Sequence, residues 1–317
     1  MNEIDIINNL KKIINNKSAL NLSDDVFFDK KNSLVATIDT YNEKIHFLNF
    51  KNPKLVIKKV IRSSISDIIS KGVDPKYLLV SFSGSKKNFN SANVKKIINS
   101  IKIEQKKYQF ALTGGDTTYS NNTSFTLCVF GFAKKIIKRN CSQKNDDIYI
   151  TGNIGDSSVG VSLLKNKIKV SGKIKNYFLN KYFKPDIPFG FHKELYKFAN
   201  SSMDISDGLL IDLKRLIGNQ KLGYIIYSNL LPKSKCLKNL ITKKKIFEYN
   251  HIFNGDDYQI LFTAKKKYRN IVIKSSKKWN QKVTMIGSIV NSDNNYLKIN
   301  NKLKKIVNYR GYIHNFK

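Results

Sequence analysis

"NPKLVIKKVIRSSISDIISKGVDPKYLLVSFSG" (residues 52–84) is the stretch on which the fold reading turns. From Leu55 to Ile69 apolar residues recur at helical spacing. Pro53 stands near the start of that pattern and Gly72 at its end, where each suits a helix terminus. "KYLLVSFSG" (76–84) then reads as a strand. The neighbours extend the pattern: "SLVATIDT" (33–40) upstream is a strand, "SANVKKIINSIKIEQKK" (91–107) a helix, and "YQFALTGG" (108–115) and "SFTLCVFGFA" (124–133) strands. Strand, helix, strand, helix, strand, strand predicts an α/β chain of α+β type, with a sheet carrying helices on one face.

A second α/β half follows. "DDIYITGNIGDSSVGVSLLKN" (146–166) reads as strand, glycine turn and helix, so the division is set near residue 145, giving domains 1–145 and 146–317. "HKELYKFANS" (192–201) is read as a helix, "SSMDISDGLLIDL" (201–213) as a turn into a helix, and "KKYRNIVIKSSKKW" (266–279) as a helix. "GYIIYSN" (223–229), "YQILFTA" (258–264) and "KVTMIGSIV" (282–290) are read as strands.

Composition narrows the class. The 317 residues are 41% hydrophobic with 5 prolines, enough for a substantial core and unlike a disordered chain. The N-terminal "MNEIDIINNLKKIINN" is an amphipathic helix pattern without an unbroken apolar core or cleavage site, so no secretory signal is expected. No apolar run approaches the roughly 20 residues of a membrane span. Cys128, Cys141 and Cys236 are far apart and odd in number, which suits reduced thiols in a cytoplasmic protein. The net charge of +34 raises the question of nucleic acid. Lysine is spread over the whole length, and aromatic residues are not interleaved with the basic runs as a stacking platform requires. Nucleic acid is therefore not the expected partner, although the charge favours small anionic substrates.

Against that background the acids stand out. Ten of the 23 acidic residues fall in short turn-like contexts: Asp24, Asp25, Asp39, Asp67, Asp116, Asp204, Asp207, Asp212, Asp256 and Asp257. Any one of them, beside glycine or serine, suits a cap or a turn. As a set they are carboxylates at strand ends without histidine or cysteine among them, a composition suited to hard cations such as Mg²⁺ shared with phosphates. No Walker A loop and no kinase-type signature is present.

"TGGDTT" (113–118), "MDISDGLLIDL" (203–213), "NGDDYQILF" (254–262) and the terminal "GYIHNF" (311–316), in this order, resemble thiamine-monophosphate kinase, of the superfamily of aminoimidazole ribonucleotide synthetase and selenophosphate synthetase. The resemblance runs from about residue 20 to 316. It implies the two-domain fold of that superfamily, an N-terminal sheet that pairs across a homodimer, and phosphorylation of thiamine monophosphate to thiamine diphosphate with ATP and several Mg²⁺ ions. It implies metal ligation by Asp25, Thr37, Asp39, Asp67, Asp116, Asp204 and Asp207, with Asp116 and Asp207 catalytic. Gly115, Ser206 and Arg139 or Asn140 are implied in nucleotide binding. His46, Asp256 and Tyr312 are implied in binding thiamine monophosphate. Asp212 is expected to cap or brace its helix. The chain departs from the family pattern at Ser23, Ile38, Ser64, Asn140 and Asp256, and in "KPDIPF" (184–189).

The chemistry is coherent. A phosphate nucleophile is already anionic at neutral pH, so no general base is needed. The obstacle is repulsion between two polyanions, which cations and alignment relieve. The alternatives are another ATP-using member of the superfamily, or a decayed, non-catalytic basic binding protein. Selenophosphate synthetase calls for a reactive cysteine segment at the N-terminus, and a hydrogenase-maturation relative for a C-terminal cysteine; the sequence has neither.

Overall fold

The computed structural model describes residues 1–309 and 311–316. It opens with a short helix, α1 (Glu3–Leu10), capped by Asn2. β1 (Phe27–Asp29) and β2 (Leu34–Asn42) lead into α2 (Pro53–Ser70), then β3 (Pro75–Gly84), α3 (Ser91–Tyr108), β4 (Ala111–Tyr119) and β5 (Ser124–Phe132). These strands form one sheet in the order β1-β2-β5-β3-β4, antiparallel except for the parallel β3–β4 pair. α2 forms where expected, with Pro53 at its first turn and the Asn52 side chain capping Leu55 N–H.

The second half contributes β6 (Asp147–Thr151), α4 (Asp156–Leu164), α5 (Gly172–Phe183), β7 (Ala199–Asp204), α6 (Leu209–Ile217), β8 (Gly223–Tyr227), α7 (Lys235–Thr242) and α8 (Tyr249–Ile252). β9 (Ile260–Ala264), α9 (Arg269–Lys278), β10 (Val283–Val290), β11 (Tyr296–Ile299) and β12 (Lys302–Lys305) complete it. Its sheet runs β12-β11-β8-β10-β6-β9-β7. Residue 145 lies in the segment between the two sheets, and the apolar core around α2 continues past it to Phe191, Phe198 and Phe262.

Two sequence readings change. The helix expected over 192–201 is a 3-10 helix over Phe191–Lys197, followed by β7. Strand pairing of Ser201–Asp204 with β9 overrides the local helical character. The strand expected over 108–115 begins at Ala111, because α3 runs to Tyr108, and continues through the aspartate to Tyr119.

α2 positions the site. It packs on β2 and β5 and also touches β7 and α5 of the other half. Flanked on both sides, it buries polar residues as well: Lys59, Arg62, Ser63, Ser64, Ser66 and Ser70. Among the described residues no helix is long and apolar enough to cross a membrane.

Candidate active site

β2 alternates, and its inward residues are Val35, Thr37, Asp39 and Tyr41. Thr37 Oγ1 donates to the Asp67 carboxylate at 2.7 Å, from β2 to α2. Tyr41 Oη donates to Asp39 at 3.2 Å. Asp204 ends β7, in the second half of the chain, and accepts from Ser66 Oγ. Burial drives the Asp67 carboxyl well above its ordinary value, and the charges of Asp39 and Asp204 add to it. Asp39 and Asp207 are raised by burial, and Asp204 is pushed up to about 6. Such a group has too little positive charge for its carboxylates. Its oxygen-only donors suit a hard divalent cation. Among the described residues no three such side chains converge closely enough to hold an ion as they stand.

Asp24 and Asp25 differ. The Lys71 ammonium lies 2.7 Å from Asp24 and 2.8 Å from Asp25. Arg139 Nε donates to Asp25 at 3.0 Å, and the Arg139 backbone N–H to Asp24 at 3.0 Å. Arg139, rather than Asn140, therefore faces the carboxylates. Asn140 turns away with φ 58°, and its buried Oδ1 has no partner among the described residues. It abuts Gly218, where a Cβ would come within 1.6 Å of that oxygen.

The Ser206–Gly208 turn is braced by Asp212. Its carboxylate accepts the N–H groups of Asp207 at 3.1 Å and Gly208 at 2.9 Å. Burial and the nearby Asp207 charge push Asp212 up to about 8. Arg215 pairs with Asp207. The Ser206 carbonyl accepts the Asp256 N–H at 2.8 Å, which lays the "NGDD" loop on the turn. Only glycine fits at 255, since a Cβ there would stand 1.9 Å from the Ser206 carbonyl oxygen.

His46, Asp256 and Tyr312 come together beyond this turn, with residues the sequence reading missed. Lys59, 1% exposed, places its ammonium 2.6 Å from Asp256 and 3.8 Å from the centre of the Tyr182 ring. Tyr258 Oη donates to Asp256 at 2.9 Å, and Tyr182 Oη to the His46 carbonyl at 2.9 Å. His46 Nδ1 accepts the Asn42 N–H at 2.9 Å. Burial, with His314 nearby, lowers His46 to about 4, so it is neutral at pH 7. His314 lies 5.3 Å from the His46 ring and 4.8 Å, edge to face, from Tyr312. The Tyr312 N–H donates to the Asp207 carbonyl at 3.1 Å, tying this end to the carboxylates. The signal available in sequence was a lysine inside the apolar stretch of a long helix.

Asp116 and Gly115 stand apart. β4 is an edge strand, exposed throughout. The register places Gly115 level with Asp39 through Val80 and Leu127, three strand spacings away, or about 14 Å. A Cβ at Gly115 would fall 1.8 Å from the Val80 carbonyl oxygen, so glycine is required for this pairing. Among the described residues the Asp116 carboxylate accepts only from its neighbour's N–H, on Thr117, at 2.7 Å.

Residues 22–133 match the family described as AIR synthase related protein, N-terminal domain. A thiamine-monophosphate kinase of Buchnera aphidicola subsp. Schizaphis graminum is 35% identical over 290 residues, covering 90% of this chain and 88% of its own. The chain belongs to the thiamine-monophosphate kinase family. Another thiamine-monophosphate kinase, of Aquifex aeolicus, is 29% identical over 276 residues, 85% of this chain and 88% of its own. The solved structure of AaThiL complexed with AMPPCP and TMP superposes with a TM-score of 0.87 at 26% identity, covering 99% of this chain and 97% of that one. As a thiamine-monophosphate kinase family enzyme, the chain has a kinase role in thiamine biosynthesis and uses ATP.

Proposed function

We propose that the chain transfers the terminal phosphoryl group of ATP in line to the phosphate of thiamine monophosphate, giving thiamine diphosphate and ADP. The observation that carries this is the adjacency of two sites around one turn. Mutually repelling carboxylates lie on one side of Asp207; His46, Asp256 and Tyr312 lie on the other. Asp39, Asp67, Asp204 and Asp207, with Thr37, are the residues that would hold Mg²⁺. Bound there, Mg²⁺ supplies positive charge to the phosphoryl oxygens. Arg139 and Ser206 would meet the nucleotide. His46, neutral and edge-on to Tyr41, and Tyr312 line the place of the thiamine rings. Asp256, held by Lys59, sets their orientation.

Asp116 enters this reading through a homodimer. The outward face of the first sheet exposes Ile38, Tyr77, Leu79 and Phe132, an apolar surface with no helix of the described residues over it. Such a sheet face suits burial against a second copy. In that pairing Gly115 and Asp116 of one copy complete the nucleotide and metal site of the other. A cytoplasmic location is part of the same proposal.

The test incubates purified protein with ATP, Mg²⁺ and thiamine monophosphate and separates the thiamine esters by chromatography. Thiamine diphosphate formed with equal ADP, and lost with chelator, is the expected result. No product from folded, ATP-binding protein would overturn the reading.

A further inference from the structure

The Asp24–Asp25 corner is occupied by side chains of the chain itself. Lys71 follows the last residue of α2 and is 0% exposed. An ammonium has three N–H donors. Three acceptors surround this one: Asp24 at 2.7 Å, Asp25 at 2.8 Å and the Ser202 carbonyl at 2.9 Å. All four carboxylate oxygens are engaged. Asp24 Oδ1 takes Lys71 and, at 2.9 Å, the Asp25 N–H; Asp24 Oδ2 takes the Arg139 N–H at 3.0 Å. Asp25 Oδ2 takes Lys71 and Arg139 Nε, and Asp25 Oδ1 the far nitrogen of the same guanidinium. Two carboxylates meet one ammonium and one guanidinium, so the corner is neutral without metal.

We propose that Lys71 is a resident cation of the active site, standing where a divalent ion would otherwise bridge Asp24 and Asp25. The inference rests on the Mg²⁺ reading above and corrects one part of it: the Asp25 expected as a metal ligand is closed to metal in this chain. A lysine ammonium is a compact point charge and replaces an ion in a way a broad guanidinium does not. A divalent ion entering here would have to displace the ammonium, and with the Lys71 side chain fully buried the displaced charge has no route to water. An uncompensated buried charge is strongly disfavoured. Metal therefore gathers at Asp39, Asp67 and Asp204, which among the described residues pair with no lysine or arginine, with Asp207, held by Arg215, beside them.

The experiment counts Mn²⁺ per chain by equilibrium dialysis with a β,γ-methylene ATP analogue present. Wild type, Asp25→Asn and Lys71→Met are compared, with Asp67→Asn as the reference for a true ligand. Asp25→Asn is expected to keep the wild-type count while Asp67→Asn loses at least one ion. Lys71→Met, similar in length and uncharged, is expected to gain one Mn²⁺ and a Mn²⁺-dependent rise in Tm larger than that of wild type. An ion lost in Asp25→Asn, or an unchanged count in Lys71→Met, would overturn the proposal. If Lys71→Met does not fold, Asp25→Asn decides alone. If wild type binds no Mn²⁺, the Mg²⁺ reading fails by itself; Lys71→Met still decides this proposal, by gaining a Mn²⁺ site or not.

Discussion

Asp67 lies in the last turn of α2, Asp25 precedes β1 and meets Lys71 just past the end of that helix, and the fold treats the two aspartates in opposite ways. Asp25 sits with Asp24 among matched cations, Lys71 and Arg139. Asp67 is more deeply starved of positive charge: its strongest partner is the Thr37 hydroxyl, and Asp39 and Asp204 repel it. The difference separates carboxylates matched by cations from carboxylates left to repel one another. A neutralised corner holds the two halves of the molecule together, since Lys71 also reaches the Ser202 carbonyl of β7. A repelling group is a poor brace and a ready binding site.

The sharpest break of that comparison is in turnover. Asp67→Asn is expected to lower kcat by about 10³-fold, the scale for losing one electrostatic element of a polar site. Asp116→Asn should be equally inactive while remaining folded, although Asp116 lies on the exposed edge strand. If Asp116 acts across a dimer, mixing the two dead variants and allowing subunit exchange should restore about a quarter of wild-type activity, since half the dimers are mixed and each carries one intact site. No recovery, from proteins shown to exchange, would place Asp116 in its own chain's site instead.

Stability should separate the two aspartates by sign. Asp25→Asn removes half the charge facing a buried ammonium and is expected to cost about 3 kcal/mol in metal-free protein, the range for breaking a buried pair. Asp67→Asn keeps an acceptor for Thr37 and removes a repelled charge, so metal-free stability should rise by about 1 kcal/mol, as active-site substitutions that relieve strain commonly do. Urea denaturation in chelator reads both. A destabilised Asp67→Asn would mean that the carboxylate braces the fold after all.

The pH dependence is smaller and follows from the raised carboxyls. Asp204 near 6 and Asp212 near 8 lie above their unfolded value, so the folded chain binds more protons than the unfolded one between these limits. Stability is then full at acid pH and is lost as pH rises through the folded values, by up to about 1.4 kcal/mol per group per unit. Metal-free protein should melt lower at pH 8 than at pH 6, and Mg²⁺ should narrow the gap. Equal melting temperatures in chelator at the two pH values would contradict the burial that raises Asp204 and Asp212.

Much of this arrangement was legible in sequence, for identifiable reasons. α2 and β2 carry their periodicities openly, and "DISDG" announces the turn it forms, whereas "GGDTT", which sequence placed in a turn-like context, lies inside β4. Asp212 was expected to brace its helix, and it does so through two N–H groups. Lys59 and Lys71 were not legible as site residues. In a chain with 57 lysines and arginines, a lysine inside the apolar stretch of a helix is a weak signal for Lys59, and one just past the helix end is none for Lys71. β7 was lost for a related reason: its residues Ala199–Asp204 are a strand only because β9, some 60 positions on, pairs with them. The split of Asp116 from the other acids was also hidden, because adjacency in a motif list says nothing of strand order.

The smallest effect expected concerns α1. None of its residues is buried, so it adds little to the core. Yet it holds the tail that carries Tyr312 and His314: Glu3 N–H donates to the His314 carbonyl at 3.0 Å, His314 N–H to the Glu3 carboxylate at 3.4 Å, and Phe316 N–H to the Met1 carbonyl at 3.2 Å. Beyond Tyr312, whose N–H is fixed to Asp207, these bonds account for the position of the terminal residues beside His46. Removing residues 1–10 should therefore free the tail without unfolding the protein. KM for thiamine monophosphate should rise about fivefold, close to 1 kcal/mol of lost preorganisation, with KM for ATP and the melting temperature nearly unchanged. Replacing Glu3 alone by Gln should have less effect, because two of the three bonds use backbone atoms. A truncation that melted early would make α1 part of the core architecture, and one that raised both KM values together would detach the tail from thiamine binding.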